Sequence, residues 1–393
     1  MNLDAQLAER LDSLQAAGQL RQIRAMQLNG THLSFEGKSY FNLSSNDYLG
    51  LSSSAYAQYP LAQGLDASHY LHGNPSSRLM TGNGEEYEEL EAELRLLFPQ
   101  KKALVLSCGY MANCGLPAAI AEKGDVILAD KLIHASLIDG ARMGHAELKR
   151  FRHNDVEHLE KLLQGLESTT NVWVIIESLY SMDGDLAPLA EILELKRRYG
   201  FYLMVDEAHA FGVLGPMGKG RCAELQCEDE VELIMCTFGK AIAGAGACIL
   251  CSELMRLWLI NRMRSLIFTT ALPPITLKWN SFVLKQMRTE ELSQKQPELY
   301  PSFAFLRQHL QELTQLFSRE SGFAASSQII PIAAGSNERA LHMAQQALEA
   351  GYCLTAIRPP TVPVGGARLR LSLTAAFSKE QITQFAHLCK RLG

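Results

Sequence analysis

An α/β fold is what this sequence predicts: a mostly parallel seven-stranded sheet with helices on both faces, followed by a smaller α+β C-terminal domain. Three observations carry that prediction. At 393 residues the chain is too long for one ordinary hydrophobic core. Seven short apolar runs recur through its middle, and amphipathic helical stretches lie between them.

The elements follow in order. A helical head spans roughly Leu3–Met26, and a small hairpin follows through Leu33–Phe41, so residues 1–50 read as a helical and hairpin segment. The large domain is expected over 51–285. Its strands are Ala103–Ser107, Asp125–Ala129, Leu148–Phe151, Val172–Glu177, Tyr202–Asp206, Leu233–Thr237 and Ala247–Cys251. Such nearly continuous apolar runs suit strands buried on both faces. Between them, Glu85–Leu97 sets Tyr87, Leu90, Leu94 and Leu97 on one face, and Pro188–Tyr199 does the same with Leu189, Ile192, Leu193 and Lys196. After Pro273-Pro274 the pattern turns to long helix. Residues 286–393 then carry strands at Ile329–Ala333, Leu354–Ile357 and Arg368–Leu373 before a final helix. Strict alternation in Arg368-Leu369-Arg370-Leu371-Ser372-Leu373 predicts a sheet with one exposed or polar face.

Composition excludes several classes. With 37 basic and 42 acidic residues the formal net charge is −5, so no global field draws nucleic acid or an anionic membrane. The polar, acidic start lacks signal-peptide order, and no apolar run approaches the length of a membrane span. A cytoplasmic protein is expected. Nine scattered cysteines suit reduced, packed thiols. Cys248 and Cys251 have C-x-x-C spacing, but they fall in an apolar strand with no second pair or nearby histidine, so core packing is favoured and no metal is expected.

The chemistry is concentrated at strand ends. Lys240, in Cys236-Thr237-Phe238-Gly239-Lys240, lies 34 positions after Asp206, which closes its own strand in Asp206-Glu207-Ala208-His209. A lysine beyond one strand and an acid ending another form the arrangement that pyridoxal phosphate chemistry needs. The amine forms an imine with the cofactor aldehyde, and the carboxylate keeps the pyridine nitrogen protonated. Asp206 alone would read as an acid capping a local turn; beside the lysine segment the cofactor reading is favoured. Gly239 allows a tight bend, and Thr237 offers a hydroxyl to a phosphate. Gly109, in Ser107-Cys108-Gly109-Tyr110-Met111-Ala112-Asn113, opens a helix whose first amides can bind phosphate. His134 could stack on the pyridine or simply cap a helix, and Ser181 could hydrogen-bond the cofactor or start a turn. Gly109, His134, Ser181 and Asp206 follow four separate strands, and Lys240 a fifth, all on what would be one sheet edge.

Together these segments resemble the α-oxoamine synthases, fold-type-I pyridoxal-phosphate-dependent transferases that join an amino acid to an acyl thioester with loss of carbon dioxide. The resemblance runs from about Arg21 to Leu392. Within the group, Thr355-Ala356-Ile357-Arg358-Pro359-Pro360-Thr361-Val362-Pro363 and Ser44-Ser45-Asn46-Asp47-Tyr48-Leu49-Gly50 look most like the branch serving biotin biosynthesis. The implied substrates are L-alanine and a pimeloyl thioester, on coenzyme A or a carrier protein; the alternative is another member such as glycine C-acetyltransferase. The resemblance implies that Lys240 removes the alanine Cα proton, Asp206 supports the protonated pyridine, His134 stacks on the ring and His209 bonds its phenolic oxygen. It further implies cofactor contacts at Gly109, Tyr110, Ser181 and Thr237. Arg21, Asn46, His134, Arg358 and Thr361 are implied at the substrates. It also implies an obligate homodimer in which Thr270 reaches the neighbouring subunit's cofactor. One departure stands out: His72-Gly73-Asn74-Pro75-Ser76-Ser77-Arg78 is poorer in glycine than the corresponding family loop.

Overall fold

The structure, a computed structural model, describes residues 2–62 and 73–392; His72 of the glycine-poor loop lies outside them. The described chain divides into two compact units, one of residues 54–62, 73–181 and 185–307, the other of 2–53, 182–184 and 308–392.

The larger unit is built on seven strands: β1 (Lys102–Leu106), β2 (Val126–Asp130), β3 (Glu147–Phe151), β4 (Val172–Glu177), β5 (Tyr202–Asp206), β6 (Leu233–Thr237) and β7 (Ala247–Cys251). Their order across the sheet is β1-β7-β6-β5-β4-β2-β3. The pairs β6–β5, β5–β4, β4–β2 and β2–β3 are parallel, and β7 runs antiparallel to both its neighbours. Strands β2, β4, β6 and β7 are buried at every position, as apolar runs under helices on both faces require. Strands β1 and β5 expose only their first residue, and the edge strand β3 carries a mixed pattern. Cys248 and Cys251 are fully buried in β7, with Cys248 opposite Cys236.

Two helices set the geometry at the carboxyl ends of these strands. Helix Gly109–Ile120 follows β1 and packs on helix Ala135–Met143, which follows β2. Gly140 permits the close approach, because a Cβ there would lie 2.5 Å from the Asn113 carbonyl oxygen and 2.7 Å from that of Cys114. The contact fixes the height of Asn113, whose side chain matters below.

In the other unit, helix Leu3–Ala16 ends ten residues before the expected limit at Met26, because the chain turns at Gly18 with φ of +62°. Strands Gln27–Asn29, His32–Phe35 and Lys38–Asn42 form an antiparallel meander, joined in parallel by Tyr352–Cys353. A second sheet orders Ile329–Gly335, Ala367–Ser372 and Thr355–Ile357. Its middle strand meets the sequence expectation of an exposed or polar face in its polar form. The alternating face is polar but not exposed: Arg370 is buried and donates to Asn46 Oδ1 (3.1 Å), Ser372 Oγ (2.7 Å) and the Tyr48 hydroxyl (3.3 Å). Arg368 pairs with Asp183.

Gly184 is the glycine this unit can least replace. Its φ is +68°, and a Cβ would sit 1.9 Å from the Ile329 carbonyl oxygen. Gly184→Ala is expected to destabilise the fold by about 3 kcal/mol or more, from overpacking added to a left-handed backbone. A urea midpoint indistinguishable from wild type would refute this.

Among the described residues, no helix is long and apolar enough to cross a membrane.

Candidate active site

A cavity of about 190 Å³ opens at the carboxyl edge of the sheet. Its lining includes Gly109, Tyr110, His134, Asp206, His209, Thr237 and Lys240. Five strands deliver these groups: β1 leads to Gly109, β2 to His134, β4 to Glu177, β5 to Asp206 and β6 to Lys240. Parallel strands end together, so loops far apart in sequence meet on one rim.

Lys240 sits in a segment that closes on itself. The amide of Phe238 donates to Gly246 O (2.9 Å), that of Gly244 to Phe238 O (2.8 Å) and that of Ala243 to Lys240 O (2.8 Å). Thr237 Oγ1 donates to Gly246 O (3.1 Å) and accepts from the Gly239 amide (3.4 Å). Held this way, the Lys240 amine lies 2.9 Å from His209 Nε2.

Asp206 is buried, with Oδ2 accepting from Asn113 Nδ2 (2.7 Å) and Oδ1 from the Ala208 amide (2.8 Å). Beside it in register on β4 is Glu177. Burial first, and then the Asp206 charge, push the Glu177 carboxyl well above the usual carboxylate range; Lys240 and the amides of His134 and Ser181 only partly oppose this. Burial and the Asp206 charge thus both favour the protonated form of Glu177.

His134 satisfies both of its sequence readings. It caps helix Ala135–Met143, its Nδ1 accepting from the Ser136 amide (3.3 Å) with Ser136 Oγ 2.7 Å away, and its ring lines the cavity. Burial lowers its pKa, with Lys240 acting in the same direction against Asp206 and Asp139, so the imidazole is neutral. An Nδ1 that accepts leaves the proton on Nε2.

Helix Gly109–Ile120 opens toward the cavity with its first amides, and Cys108 Sγ caps it by accepting from the Met111 amide. Tyr110 is half exposed, its hydroxyl donating to Asp139 (2.7 Å).

The remaining sequence candidates lie elsewhere. Ser181 follows β4, and its amide reaches Glu177 without its lining the cavity. Thr270 bridges to Ser77, its carbonyl accepting from Ser107 Oγ (2.9 Å). Arg21, Asn46, Arg358 and Thr361 belong to the other unit. There Arg21 donates to Thr361 Oγ1 and Pro359 O, both at 3.4 Å, and Arg358 donates to Gly18 O. Sequence reasoning missed Asn113, Glu177 and the buried Arg370. The first two left a signal. Asn113 is a polar residue one helical turn after Gly109, and Glu177 ends an apolar strand just as Asp206 does.

The donor set fits pyridoxal phosphate. Asn113 Oδ1 and Glu177 Oε1 are buried without a hydrogen-bond partner. Acceptors in that state, beside Asp206, suit a protonated ring nitrogen. An amine, a neutral imidazole and a helix N-terminus complete what an aldehyde, an aromatic ring and a phosphate require.

Comparison with known proteins agrees. Residues 38–388 match the family described as aminotransferase class I and II, and the chain belongs to that family. It is an enzyme with the fold of the pyridoxal-phosphate-dependent transferases, and pyridoxal phosphate is its cofactor. The 8-amino-7-oxononanoate synthase of Haemophilus ducreyi is 39% identical over 385 residues, covering 95% of this chain and 97% of that one. A serine palmitoyltransferase variant from S. paucimobilis, with a bound PLP–myriocin aldimine, is similar at a TM-score of 0.87 and 27% identity, covering 100% of this chain and 98% of that one. The 8-amino-7-oxononanoate synthase of Francisella tularensis gives 0.72 and 26%, covering 90% and 97%.

Proposed function

We propose that this enzyme is an α-oxoamine synthase that condenses L-alanine with a pimeloyl thioester, releasing carbon dioxide and the free thiol and forming 8-amino-7-oxononanoate for biotin synthesis. The observation that carries the reading is the Lys240 amine at 2.9 Å from His209 in a cavity that Asp206 also lines. Near-40% identity to a synthase of that name supports the substrate pair.

Bound pyridoxal phosphate supplies an electron sink for a carbanion formed beside the amino nitrogen. Lys240 would hold the aldehyde carbon, Asp206 the ring nitrogen, His209 the phenolic oxygen, and the amides of Gly109 and Tyr110 with Thr237 the phosphate, with Ser181 nearby. With substrate bound, the Lys240 amine would take the alanine Cα proton. His134, uncharged, gives a flat face for stacking and an Nε2–H to orient a carboxylate. Burial and the Asp206 charge favour the protonated form of Glu177, so Asp206 rather than Glu177 would bring charge to the ring nitrogen. Arg21, Asn46, Arg358 and Thr361 would bind substrate, and Thr270 would serve a second subunit's site in a homodimer.

A steady-state assay of thiol release across alanine, glycine and serine, each with pimeloyl, acetyl, succinyl and palmitoyl thioesters, tests the reading. Alanine with pimeloyl thioester should dominate. Dominance of glycine with acetyl thioester, or of serine with palmitoyl thioester, would move the enzyme to another branch of the group. The second of these draws support from the TM-score to serine palmitoyltransferase. Transamination or lyase activity with no acyl donor would remove it from the group.

Glu177→Gln tests whether Glu177 acts as an uncharged acid. An amide is close in shape to a protonated carboxyl, so turnover should fall by less than about tenfold. A loss of several hundredfold in the thiol-release assay would mean that Glu177 works through its charge or its proton.

A further inference from the structure

A second polar cluster ties three strand ends together outside the cavity. Asp130 closes β2 and is fully buried. Its Oδ1 accepts from the Leu132 amide (2.7 Å) and meets His153 Nδ1 at 2.9 Å, while Oδ2 accepts from the Asn154 amide (2.8 Å). The other nitrogen of His153, Nε2, lies 2.8 Å from Asp185 Oδ2, which also accepts from Asn154 Nδ2 (2.9 Å). Tyr180 sets its ring perpendicular to the imidazole at 4.4 Å between centroids, and its amide donates to Asp185 O (3.0 Å).

The placement of these residues gives the cluster a purpose. Strands β4, β2 and β3 are neighbours in the sheet. His153 rises from the turn after β3. One of its nitrogens grips the end of β2, four residues before His134. The other grips the chain after β4, where Ser181 lies between Tyr180 and Asp185. An imidazole flanked by carboxylates on both nitrogens satisfies both only by donating from both, which requires the cation. Burial opposes that charge, but the hydrogen bonds to Asp130 and Asp185 outweigh it and push the pKa up to about 10.

We propose that His153 is a positioning residue, a cationic strut that holds the loops bearing His134 and Ser181 in the geometry the cofactor requires. This rests on reading the cavity as the cofactor site. It assigns a specific task to a histidine that does not line the cavity.

The test is equilibrium titration of apoprotein with pyridoxal phosphate, read by visible absorbance and by the circular dichroism of the bound cofactor. Thermal melting of the apoprotein is followed alongside. His153→Gln can donate only from its single amide nitrogen, and its oxygen cannot donate to the second carboxylate. It should weaken cofactor binding about tenfold, as loss of a residue that orients ligating groups does, and should diminish the cofactor's dichroism. His153→Arg, which keeps charge and several donors, should recover part of both. If the Gln variant does not fold, Asp185→Asn, which removes one carboxylate at constant shape, decides the matter by the same readouts with a smaller shift. Variants that melt lower yet bind cofactor with wild-type affinity and dichroism would overturn the strut and leave only a stabilising contact. A wild-type protein that takes up no cofactor would instead overturn the reading of the cavity, and the strut's role with it.

Discussion

Lys240→Ala should abolish turnover, lowering thiol release by at least about 10⁴-fold, because one amine is asked both to hold the cofactor carbonyl and to move the Cα proton. The fold should survive the change. The 237–246 segment is shaped by backbone hydrogen bonds and by Thr237 Oγ1, none of which uses the lysine side chain. What is lost is local: His209 Nε2 loses the amine at 2.9 Å. Two measurements separate loss of chemistry from loss of structure. Far-ultraviolet circular dichroism of the variant should match wild type. Borohydride reduction of wild-type holoenzyme should place the label on Lys240 and nowhere else. A variant with ordinary turnover, or a wild-type label on another residue, would end the reading.

Much of this was legible because the large unit obeys rules that act locally. Val172–Glu177, Tyr202–Asp206, Leu233–Thr237 and Ala247–Cys251 are strands at the expected limits, since an unbroken apolar run that ends in an acid, a threonine or a turn has little freedom in where it stops. Helix Glu85–Leu97 likewise buries Tyr87, Leu90, Leu94 and Leu97 as the 3.6-residue period requires. The same helix shows where reading fails. It also buries Glu91, which periodicity places inward but polarity argues outward; Arg78 at 2.8 Å and Arg256 at 3.0 Å settle it. Those partners lie 13 residues before it and 165 after it, and no local pattern announces them. Arg370 escaped for the same reason: alternation marks a polar face, but Asn46 and Tyr48, which arrive from more than 300 residues away, decide that the face is covered. His153 was invisible too. Its role depends on strand order, which sets β2 between β3 and β4, and nothing in the turn after Phe151 states that order. The cavity residues were the easier part, since each follows a strand and parallel strands end on one edge.

Asp206→Asn should separate charge from shape at the base of the cavity. Oδ1 of the new amide can still accept from the Ala208 amide, as Asp206 does at 2.8 Å. The new Nδ2 would oppose Asn113 Nδ2, donor against donor, where Asp206 Oδ2 now accepts at 2.7 Å. Asn113 has a remedy, because its own Oδ1 is buried without a partner. Turning that amide over presents the acceptor and restores the hydrogen bond. The turned Nδ2 then occupies the place where Oδ1 has no partner, so stability should fall by about 1–3 kcal/mol, the cost of one stranded donor. Asp206→Ala leaves Asn113 Nδ2 and the Ala208 amide both unpaired, and should cost about 2–5 kcal/mol from two stranded donors. Turnover should not follow stability. Either change removes the negative charge meant for the ring nitrogen, so thiol release should drop by about 10²–10⁴-fold in both. Neighbouring Glu177 sharpens the contrast. Asp206's charge is the second cause, after burial, of its raised pKa, so neutralising Asp206 moves Glu177 back toward the ordinary carboxylate range. Burial still favours its protonated form, and Glu177 therefore supplies no full replacement charge. Denaturation midpoints and thiol-release rates of the two variants, with borohydride labelling of Lys240 to show that the amine is still in use, test the argument. If Asp206→Asn turned over like wild type, the acid would be a cap for its own turn, and the electronic role assigned to it would be gone.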